Sequence, residues 1–85
     1  MDDLRGRLRG YLLATFLPGK PDAALRDDAS LEGSHILDSA QTLELVAFLE
    51  RAFGIVVEPD DAVPENLDSV DALVAFVRRK QGAAG

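Results

Sequence analysis

The chain contains no cysteine, no tryptophan and a single histidine. Without cysteine there is no disulfide framework, no thiol nucleophile and no thiolate metal site. One histidine, His35, cannot supply the usual zinc ligand set, so no metal centre is expected. Long apolar runs are also missing. None approaches the roughly 20 residues that cross a bilayer, so no membrane association is expected. The opening Met1-Asp2-Asp3 is acidic, unlike a secretory signal, and points to a cytoplasmic protein. Positive charge is scarce as well: 9 Lys and Arg stand against 15 Asp and Glu, a net charge of -6. An acidic surface repels phosphate backbones, which argues against nucleic acid as a partner. A helix-turn-helix DNA binder would in addition need a basic recognition helix, and none is present. The charge suits a protein partner that presents a basic patch.

What is present is one small domain, residues 1–85, with 47% hydrophobic residues to build its core. Leu4, Leu8, Leu12 and Phe16 recur every four residues with Tyr11 beside them. That spacing predicts a helix from about Asp3 to Leu17, capped by Asp2 or Asp3 and stopped by Pro18-Gly19. Arg5, Arg7 and Arg9 fall between the apolar positions and read as solvated. Residues 18–37 form a long connection, a length that is often functional. Leu25, Leu31, Ile36 and Leu37 are the candidates to pin it to the core, with a helical turn near Asp22 to Arg26. A second helix is predicted from Ser39 to Phe53, with Asp38 as N-cap, Gln41 as its capping-box partner and Gly54 as the stop. Ile55-Val56-Val57 reads as an extended, buried piece, and Pro59 to Pro64 allows about one helical turn. The last helix is predicted from Ser69 to Lys80, with Asp68 as N-cap and Val70, Leu73, Val74 and Val77 on its apolar face; the tail from Gly82 to Gly85 reads as frayed. The expected fold class is all-α, three main helices plus a short one around one core. No sustained heptad seam is present, so a monomer is expected.

The second helix has two apolar faces at 100° per residue. Leu45, Phe48, Leu49, Ala52 and Phe53 fall together and read as core. Ala40, Leu43 and Ala47 fall opposite, flanked by Glu44, Glu50 and Arg51. An apolar strip edged by charge reads either as a partner-docking surface or as a second core contact against the long loop.

The run Leu37-Asp38-Ser39-Ala40-Gln41-Thr42-Leu43-Glu44-Leu45-Val46 resembles the attachment motif of acyl and peptidyl carrier proteins. In that family an Asp-Ser pair opens the second helix and a Glu-Leu pair follows about five residues on. The similarity continues through Phe53-Gly54-Ile55, the acidic loop from Glu58 to Glu65 and the last helix, covering about residues 30–80. The resemblance implies a four-helix bundle and a free-standing carrier with no catalysis of its own. It implies a covalent 4'-phosphopantetheine, moved from coenzyme A onto Ser39 by a phosphopantetheinyl transferase with Mg²⁺, with Asp38 beside it. The arm's thiol would hold intermediates as thioesters, supplying the sulfur that a chain without cysteine lacks. The implied partners are that transferase, a loading ligase or acyltransferase, and downstream synthase enzymes. Ala40, Leu43, Glu44, Ala47, Glu50 and Arg51 would form the partner face.

Elementary chemistry agrees with Ser39: a hydroxyl at a helix start is exposed, and the helix N-terminus favours a phosphate. Leu67-Asp68-Ser69 repeats the tripeptide, but without the downstream Glu-Leu and Phe-Gly-Ile context, and capping accounts for Ser69. Ser34 is a further hydroxyl, in the loop. The sequence departs from the family at Ala40, where Leu or Met is usual, and at the neutral Gln41 and cationic Arg51 on a helix that is usually more acidic. Those departures, with Val63-Pro64-Glu65-Asn66-Leu67 and Val70-Asp71, resemble carriers of polyketide or nonribosomal peptide assembly; fatty-acid and D-alanyl carriers are the alternatives. An unmodified helical adaptor explains the strip but not the order of motifs. A hydrolase built on Ser39 and His35 lacks the Gly-x-Ser-x-Gly elbow.

Overall fold

Leu4, Leu8 and Leu12 are all buried, so the four-residue spacing does lay one stripe of the first helix against the core. The computed structural model describes residues 4–31, 33 and 38–84, the last two as backbone. Four α-helices occur among them: α1 Leu4–Phe16, α2 Ser39–Phe53, α3 Pro64–Leu67 and α4 Val70–Ala84, with 3₁₀ turns at Asp22–Ala24 and Pro59–Asp61. No strand occurs among the described residues. The short fourth helix of the expected bundle is thus α3. Pro64 at its first position suits a helix start, because its missing N–H has no intrahelical partner there anyway.

Helix α4 is the hub. It packs on α1, α2 and α3, and Val70, Leu73, Val74, Phe76 and Val77 are all buried. Leu45 and Leu49 of α2 and Leu67 of α3 close the core, and Leu25, Leu31 and Ile55 reach it from the connections. No polar or charged residue is buried among the described residues. Tyr11 of α1 stacks on Phe48 of α2 with ring centroids 3.7 Å apart, and Phe48 meets Phe53 edge-on at 5.8 Å. Phe48, Ala52 and Phe53 are half-buried, so α2 buries a narrower stripe than its composition suggests. The caps expected from Asp2 or Asp3 and the anchors Ile36 and Leu37 lie outside the described residues.

Four expectations are corrected. First, the α1 arginines are not simply solvated. Arg9 ion-pairs with Asp22 (2.8 Å) and with Asp27, and also donates to the Leu25 carbonyl (2.7 Å). Arg5 spans Asp27 (2.8 Å) and Asp71 (2.6 Å), and Arg7 lies over the Phe53 ring, 4.7 Å from its centroid. Second, α4 runs on to Ala84, so Gly82 to Ala84 are helical. One interior glycine costs a helix only about 1 kcal/mol, and alanines follow it. Third, Ser69 rather than Asp68 caps α4: its hydroxyl accepts the Ala72 N–H at 3.0 Å. Asp68 is taken up by a tertiary contact, accepting from the Ser30 hydroxyl at 2.5 Å. Fourth, Val56 is 64% exposed, because successive residues of an extended chain point to opposite sides and only Ile55 and Val57 can turn inward.

These contacts fasten the long connection to the bundle. Asp71 N–H donates to the Asp27 carbonyl (2.9 Å) and Leu31 N–H to the Asp68 carbonyl (2.6 Å), so the loop lies along the start of α4. Partial burial by itself pushes the Asp27 carboxyl up, but hydrogen bonds from Arg9 and Arg5 and their charges outweigh it and hold the group below the usual carboxylate range. A folded-state pKa below the unfolded value of about 3.9 means that the stabilisation is present above that pH and is lost as pH falls through the folded pKa. Asp27→Asn is therefore expected to lower stability by up to about 1 kcal/mol at pH 7. The gap to wild type should close below about pH 4, read as urea midpoints across pH. A gap that stays constant with pH would assign the loss to packing instead.

Candidate functional site

Asp38 begins the site. Its carboxylate accepts the Gln41 N–H at 2.9 Å, and the Gln41 side chain accepts the Asp38 N–H at 3.1 Å, a reciprocal capping box. The Asp38 carbonyl also takes the Thr42 N–H and the Thr42 hydroxyl, each at 2.8 Å. The helix start is thus fixed by Asp38 and Gln41, as the sequence predicts, and by Thr42 in addition. At the other end Gly54, in the left-handed region at φ 66°, closes α2 with its N–H on the Glu50 carbonyl.

Because Asp38 performs the capping, Ser39 does not. Ser39 is exposed at the first position of a 15-residue helix, and no hydrogen bond of its hydroxyl occurs among the described residues. The second Leu-Asp-Ser copy divides the work in reverse. There Ser69 is half-buried and its hydroxyl caps α4, while Asp68 faces Ser30. One tripeptide therefore presents a free hydroxyl and the other spends its hydroxyl on its own helix. Ser34 and His35 lie outside the described residues.

The surroundings of Ser39 fit a phosphodiester. The first turn of α2 carries no acidic side chain, and the helix places its positive dipole end at that hydroxyl. No group of three or more His, Cys, Asp or Glu able to hold a metal ion occurs among the described residues. No helix among them is long and apolar enough to cross a membrane.

The six residues expected on the partner face all lie exposed on α2: Ala40, Leu43, Glu44, Ala47, Glu50 and Arg51. Leu43 is 72% exposed, the most exposed large apolar residue of the chain's described part, so the strip is not a second core contact. Glu50 is not wholly available to a partner, since its carboxylate accepts the Val57 N–H at 2.9 Å and holds the chain after α2. That role had no local signal, because the acceptor and the donor are separated by the helix end. Ser30, which ties the connection leading toward Ser39 to Asp68 at the start of α4, was likewise not singled out by the sequence, and Asp68 was singled out only as a helix cap.

Two comparisons bear on this arrangement. Residues 12–77 match the phosphopantetheine attachment site family. Over 77 residues the chain is 30% identical to acyl carrier protein 2 of Pseudomonas aeruginosa, an alignment that covers 91% of this chain and 92% of that protein.

Proposed function

The chain belongs to the acyl carrier protein family and bears a covalent phosphopantetheine arm, and on that premise we propose that Ser39 is the residue that holds the arm. The observation that carries this reading is the division of labour at the helix start: Asp38 caps α2 and leaves the Ser39 hydroxyl exposed. In the transfer, Ser39 Oγ forms the new bond to phosphorus. The pyrophosphate bond of coenzyme A breaks, adenosine bisphosphate leaves, and the serine proton passes to the transferase or to solvent. Asp38 acts as a positioning residue, holding Ser39 at the first position of a helix whose dipole favours the phosphate it receives.

Carrier proteins are generally not catalysts; they act with phosphopantetheinyl transferases and synthase enzymes. Residues 1–85 serve as one carrier domain, in keeping with the cluster of buried residues to which all four helices contribute among the described residues. The thiol at the end of the arm carries acyl or aminoacyl groups as thioesters, which a chain with no cysteine cannot do by itself. Ala40, Gln41 and Arg51 favour a dedicated set of partners, and we assign the carrier to polyketide or nonribosomal peptide assembly, with a loading ligase or acyltransferase upstream.

The test is to incubate the protein with coenzyme A, Mg²⁺ and a broad-specificity phosphopantetheinyl transferase, then digest it and sequence the modified peptide by tandem mass spectrometry. A single phosphopantetheine on Ser39 is expected. Its location on Ser34 or Ser69 would overturn the assignment of the site, and no modification by any transferase would leave the unmodified adaptor.

A further inference from the structure

Ala40, Leu43 and Ala47 form an exposed apolar strip on α2, with Leu43 one turn from Ser39. Glu44 and Arg51 are seven residues apart, which places them about 20° apart around the helix axis and about 10 Å apart along it. They therefore share one edge of the strip and are too distant to pair with each other. Neither charged group has an ion-pair or hydrogen-bonding partner among the described residues. The same edge is walled by Tyr11 stacked on Phe48. Burial raises the Tyr11 pKa; Glu44 adds to the rise and Arg51 opposes it, so both charges act on one ring. On the opposite edge Glu50 is held by Val57. The face thus presents a negative charge near Ser39 and then a positive charge two turns on.

Resting on the carrier reading above, and taking this helix as the partner face that the carrier resemblance implies, we propose that Arg51 selects among the enzymes that dock there, admitting a surface that sets an anion opposite Arg51 beside the cation opposite Glu44. Arg51 is the selectivity residue. A uniformly cationic surface satisfies Glu44 but meets Arg51 as a like charge, and like charges across an interface select against the wrong partner. Exposed rim charges act mainly on the encounter, so the effect falls on KM more than on kcat and weakens with salt.

The probe is a phosphopantetheinyl transferase chosen for a uniformly cationic docking surface, assayed with wild type, Arg51→Gln, Arg51→Glu and Glu44→Lys at low and high salt. Arg51→Glu is expected to lower KM about fivefold at low salt with kcat unchanged, Arg51→Gln to fall between, and Glu44→Lys to raise KM by a similar factor. High salt should compress all three differences. A gain in Arg51→Glu cannot come from misfolding. Modification of every variant with equal KM, or a higher KM in Arg51→Glu, would overturn this inference alone. Failure of every variant to become modified would overturn the carrier reading, and this inference with it.

Discussion

Ser39→Ala is expected to stay folded and wholly unmodified under conditions in which wild type takes up one phosphopantetheine, while Ser69→Ala is expected to be modified and destabilised. The contrast follows from what each hydroxyl does. Ser39 is exposed and contributes nothing to the cap of α2, so its loss should alter stability by no more than about 0.5 kcal/mol. Ser69 accepts the Ala72 N–H, and removing such a cap costs about 1 kcal/mol. Asp38→Ala separates the positioning role from the attachment itself. It removes the acceptor for Gln41 N–H, so α2 should lose about 1 kcal/mol and modification should slow without being abolished. Intact mass and urea midpoints on the three variants decide the matter. Modification surviving in Ser39→Ala would move the site elsewhere. A large loss of stability in Ser39→Ala would mean that the hydroxyl is structural after all.

Helix α2 was legible in the sequence because its signals are local. Asp38, Gln41 and Gly54 act on groups within four residues of themselves, and their residue types carry the geometry with them. The exposed strip on the same helix was legible from periodicity, although only the packed structure decides between a surface and a second core contact, and Leu43 decides it. The arginines of α1 were not legible. Arg5 meets Asp27 and Asp71, which lie 22 and 66 residues away, and nothing in a helical pattern announces such partners. The cap of α4 was misplaced by one residue for a related reason. Asp and Ser are both good N-caps, and the choice between them was made by Ser30, 38 residues upstream of Asp68.

Phe76→Ala is expected to cost about 3–5 kcal/mol, a large part of the stability of a domain this size. Phe76 is fully buried and is the largest side chain in the core. Yet it falls about 110° around α4 from the centre of the stripe marked by Val70, Leu73, Val74 and Val77, outside its Leu73 edge, which is why periodicity alone did not select it. A helix that packs on one neighbour buries one stripe. Helix α4 packs on three, so it buries a broad arc, and a residue at the edge of that arc is as enclosed as one at its centre. Truncation would leave a cavity in a close-packed core that relaxes only partly around it. Arg79, whose guanidinium lies 5.7 Å from the Phe76 ring centroid, would lose its aromatic platform as well. Leu43→Ala is the matched control, because an equally apolar side chain that is 72% exposed should cost no more than about 0.5 kcal/mol. Urea denaturation of the two variants should separate them by most of the transition. If Phe76→Ala lost less than about 1 kcal/mol, α4 would not be the hub of this bundle, and the rigid frame that presents Ser39 would have to rest on the contacts of α1 and α2 instead.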